Sequence, residues 1–124
     1  MTAPNEDAVL SPPTNRLTRR QDVLSVLQEG QRARHNLLMV AFRPNGLPRN
    51  RFAYAIGKRV GNAVVRNLVR RRLREIVRAA PLRPGYDIVV SGRPPAAEAS
   101  FDELRRAFVS CAYRGRITRD ENGA

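Results

Sequence analysis

The chain has 124 residues, of which 23 are lysine or arginine and 11 are aspartate or glutamate, and its formal net charge is +12. This length suits one domain with a modest core, and the cationic excess favours nucleic acid first and an anionic membrane surface second as partner. No apolar run approaches the roughly 20 residues that span a bilayer, and residues 1–10 lack the regions of a signal peptide, so we expect a cytoplasmic protein. With one cysteine and one histidine, the chain excludes an internal disulfide and disfavours the usual zinc sites.

The first part of the chain predicts a tail and a helix. Residues 1–14 are rich in Pro, Thr, Ala and Asn without apolar periodicity, which is typical of a disordered tail. Thr18 with Gln21 fits a capping box, and Gly30 fits the residue just past a helix end. A helix is therefore expected between Thr18 and Gly30, with Val23 and Leu27 on its apolar face.

Two strands and a turn follow. Residues 37–42 form a continuous apolar run short enough for a buried strand, and residues 51–57 alternate as a second strand. Asn45-Gly46 between them favours positive φ and has prolines on both sides. We predict that the two strands pair as an antiparallel hairpin.

The second half predicts a central helix, a strand and a last helix. Gly61-Asn62 begins the central helix, which runs to about Ala80 because Pro81 follows. Residues 86–90 form a strand, and residues 92–95 a linker. Ser100 and Glu103 form a capping box that opens a helix to about residue 113. Residues 116–124 are a polar tail, so the whole is an α+β domain, with helices packed on one sheet.

The central helix predicts a cationic face. Residues 57–78 carry eight basic side chains and one acid, Glu75. At 100° per residue, the cations and one amide share an arc of about 140°; the arc holds Arg66, Asn67, Arg70, Arg71, Arg74 and Arg78. Arg66/Arg70 and Arg70/Arg74 are like-charge pairs, each of which costs a few tenths of a kcal/mol in an isolated helix. The uninterrupted face therefore indicates an anionic ligand, and the planar guanidinium suits phosphate.

The opposite side of this helix is aliphatic and should face the core. It comprises Val65, Val69, Leu73, Ile76 and Ala80. Arg72 falls inside this apolar arc and must reach past the core edge or find a partner. The sequence gives no further account of it.

Residues 58–75, reading KRVGNAVVRNLVRRRLRE, resemble the signature of the bacterial ribonuclease P protein component. The match joins a basic pair, a Gly-Asn-Ala entry, an Arg-Asn pair and later bases at helical spacing. Asn15-Arg16-Leu17 also looks like the start of that family, so the resemblance covers about residues 15–113. It implies RNA-binding roles for a set of eight residues, namely Lys58, Arg59, Asn62, Arg66, Asn67, Arg70, Arg71 and Arg74.

The resemblance also implies a fold. It is a single α+β domain over residues 15–115 in the order αβββαβα, with a central mixed sheet and a left-handed β-α-β crossover, similar to domain 2 of ribosomal protein S5. General rules favour the right-handed crossover, so the hand follows from the resemblance alone. Relatives often carry aromatic residues on the first helix for binding the 5′ leader of precursor tRNA. Here Val23 and Leu27 occupy those positions, so leader binding by them and by Tyr54 is a weaker expectation.

The function implied by the resemblance is that of a ribonuclease P subunit, an endoribonuclease that matures the 5′ end of tRNA. The expected partners are ribonuclease P RNA and precursor tRNA, with no membrane and no small-molecule substrate. The RNA subunit would carry the chemistry with its own Mg²⁺, and the chain itself would hold no catalytic residue, metal or other cofactor.

Three other functions remain open from the sequence: a non-catalytic RNA-binding protein of ribosomal or chaperone type, a stand-alone endonuclease, and a membrane-surface protein. A metal-dependent nuclease needs converging carboxylates, and the acids here are scattered. Asp87 is expected on a solvent-facing side of its strand, His35 at a strand edge, and Cys111 as a small core residue.

Overall fold

The computed structural model describes residues 15–119, in which three α-helices pack on a four-stranded sheet. The elements in chain order are α1 (Arg20–Glu29), β1 (Gln31–Arg34), β2 (Leu38–Pro44), β3 (Arg51–Ala55), α2 (Ala63–Ala79), β4 (Tyr86–Gly92), a 3-10 helix (Pro94–Glu98) and α3 (Phe101–Arg114). This confirms the α+β class and the order αβββαβα. The predicted disordered tail, residues 1–14, lies outside the described residues.

The sheet is mixed, with strand order β1-β2-β4-β3. β1 pairs with β2 and β2 with β4, both antiparallel, whereas β3 and β4 are parallel neighbours. α2 therefore connects two adjacent parallel strands, as the crossover expected from the resemblance does. The left hand of that crossover stays a prediction.

The predicted hairpin between β2 and β3 is wrong, because β4 lies between these two strands. Gly46 does adopt a positive φ of 74°, as the turn chemistry required. However, the Asn45 N–H donates to Gly85 O (2.8 Å) and Asn45 Nδ2 donates to Asp87 Oδ1 (2.9 Å). These contacts hold the turn against the beginning of β4, so the chain leaves β2 without pairing back onto it.

Apolar residues cover both faces of the sheet, since α2 and α3 pack on one face and α1 on the other. The larger core contains Val40 and Val90 from the sheet with Leu73 from α2 and Phe108 from α3. The smaller core joins Leu17, Val26, Ala41 and Val89. Successive β-strand residues point to opposite faces, which is why Val89 and Val90 belong to different cores.

The predicted helix boundaries are confirmed where local capping decides them. Asn62 Oδ1 accepts a hydrogen bond from the Val65 N–H (3.0 Å), and Ser100 and Glu103 form both bonds of a capping box. α1 instead begins at Arg20, with Arg19 as N-cap and no side-chain cap, so the predicted capping box at Thr18 is wrong. The preceding residues pair with β3, since the Leu17 N–H donates to Phe52 O (2.7 Å).

The end of the described chain belongs to the fold. Ile117 is fully buried in the larger core, and Thr118 forms an isolated antiparallel bridge with Leu82. Ile117 and Thr118 thus pack against the domain, although composition placed them in a polar tail from residue 116. Within residues 15–119, no helix combines the length and apolarity needed to cross a membrane.

Candidate nucleic-acid interface

The entrance to α2 is held in one conformation by the Gly61-Asn62 pair. A Cβ on Gly61 would lie 2.9 Å from Val65 Cβ, so a side chain does not fit there. Asn62 caps the helix through Val65 N, and Arg66 Nε donates to Gly61 O (3.1 Å). Two residues expected to bind RNA, Asn62 and Arg66, therefore also fix the direction in which α2 leaves the sheet.

The outer face of α2 carries the predicted cations. Lys58, Arg59, Arg71 and Arg74 are exposed, and Arg66 and Arg70 are partly exposed. Arg70 Nη1 donates to Asn67 Oδ1 (2.8 Å), which orients both side chains outward. Within residues 15–119, none of these six cations forms an ion pair with a carboxylate. The structure thus brings the eight predicted RNA-binding residues together on α2 and the segment that leads into it.

The inner face of α2 packs as the helical spacing predicts. Val69, Leu73 and Ile76 are buried, and Val77, which the sequence did not single out, is buried with them. Val64 is 77% exposed on the first turn of the same helix. The helix is therefore amphipathic, and packing fixes which of its faces points to the sheet.

Arg72 has a structural role that the sequence did not reveal. Its Nη1 donates to Ala99 O at 3.1 Å. Ala99 immediately precedes Ser100, the N-cap of α3. The Arg72 side chain therefore extends past the edge of the core and connects α2 to the start of α3.

A groove of about 730 Å³ lies between α2, β3 and the segment before α1. Its lining includes Arg16, Thr18, Phe52, Tyr54, Arg70, Arg74 and Arg78. The Arg74 guanidinium lies 5.9 Å from the centre of the Tyr54 ring, a distance compatible with a cation–π contact. Burial raises the pKa of Tyr54 to about 12, although the charges of Arg74 and Arg78 oppose that shift. The groove therefore offers a neutral aromatic ring next to guanidinium groups.

The three residues expected to contact the leader do not share a surface. Val23 and Leu27 pack from α1 onto the smaller core, together with Ala53. Tyr54 follows Ala53 and packs against the larger core on the opposite face of the sheet. Tyr54 and the arginines of α2 thus form one candidate site, from which Val23 and Leu27 are separated by the sheet.

The titratable groups considered for nuclease chemistry have structural partners. The expectation that Asp87 faces solvent is wrong, since it is only 8% exposed and accepts hydrogen bonds from Arg51 Nη2 (2.7 Å) and Asn45 Nδ2 (2.9 Å). The side chains of Arg51 and Asn45 therefore cover the Asp87 carboxylate. His35 Nδ1 accepts from Leu37 N (3.0 Å) in the β1–β2 turn.

Cys111 is buried in the larger core, and burial raises the pKa of its thiol, so it is a packed residue and a poor nucleophile. Among residues 15–119, no three His, Cys, Asp or Glu side chains lie close enough together to hold a metal ion.

Known proteins similar to this chain point to one family. The sequence profile described as Ribonuclease P matches residues 11–115. The ribonuclease P protein component of Streptomyces bikiniensis is 39% identical over 114 residues, which span 83% of this chain and 93% of the relative. That of Caldanaerobacter subterraneus subsp. tengcongensis is 36% identical over 95 residues, 75% of this chain and 82% of the relative.

Solved structures agree with the sequence comparison. The ribonuclease P protein from Thermotoga maritima superposes with a TM-score of 0.73 at 30% identity, covering 84% of this chain and 98% of that protein. The Staphylococcus aureus protein superposes with a TM-score of 0.78 at 21% identity over 86% of this chain and 100% of that protein, which supports the fold.

Proposed function

The chain belongs to the ribonuclease P protein family, and we propose that it binds ribonuclease P RNA and the 5′ leader of precursor tRNA during endonucleolytic removal of that leader. As a protein component of ribonuclease P it serves in tRNA processing. The observation that carries the RNA-binding proposal is the face of α2, where guanidinium groups without a carboxylate partner in residues 15–119 line one side of a packed helix. Such groups bind phosphate in a bidentate way and account for much of the affinity of proteins for RNA.

We propose that the RNA subunit carries the chemistry, with Mg²⁺ held by RNA. The residues of the protein support this division of labour, because the carboxylates of residues 15–119 do not converge and Asp87 is occupied by Arg51. The protein then contributes binding energy and screens the repulsion between two RNAs. Its proposed location is the cytoplasm, with neither a membrane nor a small molecule among its partners.

The groove beside α2 is the proposed contact for single-stranded leader. Sequence-tolerant binding of unpaired nucleotides uses aromatic rings for stacking and guanidinium groups for the backbone. Tyr54 with Arg70 and Arg74 supplies both within one groove. Val23 and Leu27 are aliphatic and half-buried, so we assign them to packing of α1 with at most an apolar contact to the leader.

Reconstitution with a ribonuclease P RNA tests this function. At low Mg²⁺, the purified protein should stimulate cleavage of precursor tRNA at the mature 5′ end, whereas the protein alone should cleave nothing. Arg105→Gln/Arg106→Gln is the matched control, since these two arginines of α3 lie outside the α2 face and pair with Asp102. Absence of stimulation would favour a general RNA-binding protein, and cleavage without RNA would favour a stand-alone nuclease.

A further inference from the structure

We infer that the cationic surface of α2 continues across one end of the sheet, through Arg93 to Arg34, and that this extension binds the phosphodiester backbone of RNA. The inference rests on the proposed function, and it adds Arg93 and Arg34, which neither the signature motif nor the helix contains. We call the row formed by Lys58, Arg59, Arg93 and Arg34 the sheet-end track.

The topology brings these residues to the same end of the sheet. β3 and β4 are parallel, so the segments after both strands leave at one end, where β1 also ends and β2 begins. The Arg93 N–H donates to Leu37 O (2.9 Å), which fixes it against the start of β2. A Cβ on Gly92 would lie 3.0 Å from Ile56 Cδ1, so the segment that carries Lys58 packs directly on the end of β4.

The far corner of the track is built by α3. Arg114 Nη2, from the last turn of α3, donates to Arg34 O at 2.6 Å. This bond holds the end of the edge strand β1 and places the Arg114 guanidinium next to the backbone of Arg34. Arg34 and Arg93 are exposed, and within residues 15–119 their side chains form neither a hydrogen bond nor an ion pair. Their charge is therefore available to a ligand.

At the opposite end of the sheet, two arginines have carboxylate partners. There Arg43 pairs with Glu29 (3.2 Å), and Arg51 pairs with Asp87 (2.7 Å). The acid that follows Arg93 most closely along the chain, Glu98, forms no ion pair with it. The described acids thus pair with Arg43 and Arg51 at one end of the sheet and with no cation of the track.

The dimensions of the track suit a nucleic-acid backbone. Four strands spaced about 4.8 Å apart extend over roughly 14 Å from β1 to β3. That length accommodates more than one phosphate of a single strand, and each arginine offers a fork of donors to one phosphate. The track is continuous with the α2 face. An RNA bound to that face, or the second RNA of the complex, can therefore contact the track.

The test removes two charges from the track and two from elsewhere. Arg34→Gln/Arg93→Gln is compared with Arg43→Gln/Arg106→Gln, which removes equal charge from exposed side chains at the other end of the sheet and on α3. Binding is measured against salt in two arms: the protein with ribonuclease P RNA alone, and precursor tRNA with the assembled holoenzyme. The arm in which the slope changes identifies which RNA supplies the backbone.

For the track variant, we expect the slope of log K against log salt to fall by roughly 0.7–0.9 per lost phosphate contact in one arm. The affinity ratio of wild type to variant should then shrink about tenfold between 50 and 200 mM salt. The inference is overturned if both slopes match wild type, or if the control variant loses as much as the track variant. If the wild-type protein binds neither RNA, the proposed function fails as well. Failure of the inference alone looks different, because the wild-type holoenzyme then assembles and the track variant keeps the wild-type salt slope.

Discussion

Arginine side chains in this protein differ in role according to what lies within reach of each guanidinium. Arg51 forms a bidentate pair with Asp87, Arg72 donates to a backbone carbonyl, and Arg74 lies over an aromatic ring. Sequence reasoning marked Arg72 only as unusual, since its partner Ala99 is 27 residues away. Composition therefore predicts that the protein binds a polyanion without telling structural arginines from binding ones.

Replacing Arg72 with alanine should separate these roles. We expect the free energy of unfolding to fall by about 1–2 kcal/mol, because a charged donor to a partly buried carbonyl is lost. The salt dependence of RNA binding should stay as in wild type. Arg71→Ala is the control, since its exposed side chain should affect the salt slope and leave the unfolding free energy almost unchanged. Denaturant unfolding and RNA titrations measure both, and a reduced slope in Arg72→Ala would assign that residue to the RNA surface.

Asp87 gives the fold a dependence on acid pH. Burial alone would raise the pKa of Asp87, but hydrogen bonds from Arg51 and Asn45 and the charges of Arg51 and Arg43 outweigh it and hold that pKa below its usual range. A carboxylate with a lowered folded-state pKa stabilises the fold above its unfolded pKa, and that stabilisation is lost as pH falls through the folded value.

We therefore expect Asp87→Asn to lower the free energy of unfolding by roughly 2–3 kcal/mol at neutral pH. The difference from wild type should be constant at neutral pH and shrink below the ordinary carboxyl pKa of 3.8. Chemical denaturation from neutral to acid pH tests this, with Asp102→Asn as an exposed comparison. A difference that persists unchanged in acid would show that the ion pair is not its source.

At the scale of elements, the helices followed from local signals, and strand pairing did not. Asn62 and the Ser100–Glu103 capping box act within four residues, so the sequence predicts α2 and α3 correctly. β1, reading QRAR, has one buried residue and no apolar alternation that could reveal it. The placement of β4 between β2 and β3 depends on contacts across about 40 residues, such as Asn45 to Asp87. Local turn chemistry cannot supply that information.

The two faces of α2 can be tested with one substitution at two positions. Val69→Asp should prevent folding or destabilise the domain by at least about 4 kcal/mol, since it places an unpaired charge in the core. Val64→Asp should leave stability within about 0.5 kcal/mol, because that residue is exposed in the first helical turn, where an acid interacts favourably with the helix dipole. Circular dichroism and thermal unfolding would distinguish the variants. Equal stability would show that the orientation of the helix on the sheet is wrong.

For the whole molecule, the net charge of +12 is unevenly distributed. The described acids pair with Arg43 and Arg51 at one end of the sheet and with two arginines of α3, and within residues 15–119 none pairs with a cation of α2 or of the adjoining sheet end. The sequence predicts the cationic face of α2, because its arginines recur at helical spacing within one continuous segment. It does not predict the Tyr54–Arg74 contact or the approach of Arg93 to β2, because these join segments through the sheet.

This distribution predicts how the holoenzyme responds to Mg²⁺. If the α2 face screens repulsion between ribonuclease P RNA and precursor tRNA, Arg70→Gln/Arg74→Gln should raise the Mg²⁺ concentration needed for half-maximal cleavage. High Mg²⁺ should restore the rate, because divalent cations replace part of the lost positive charge. Arg105→Gln/Arg106→Gln removes the same charge from α3 and should leave the Mg²⁺ requirement as in wild type. Cleavage assays over a Mg²⁺ series measure the effect, and a defect that Mg²⁺ does not relieve would mean that these arginines position the RNA through specific contacts instead.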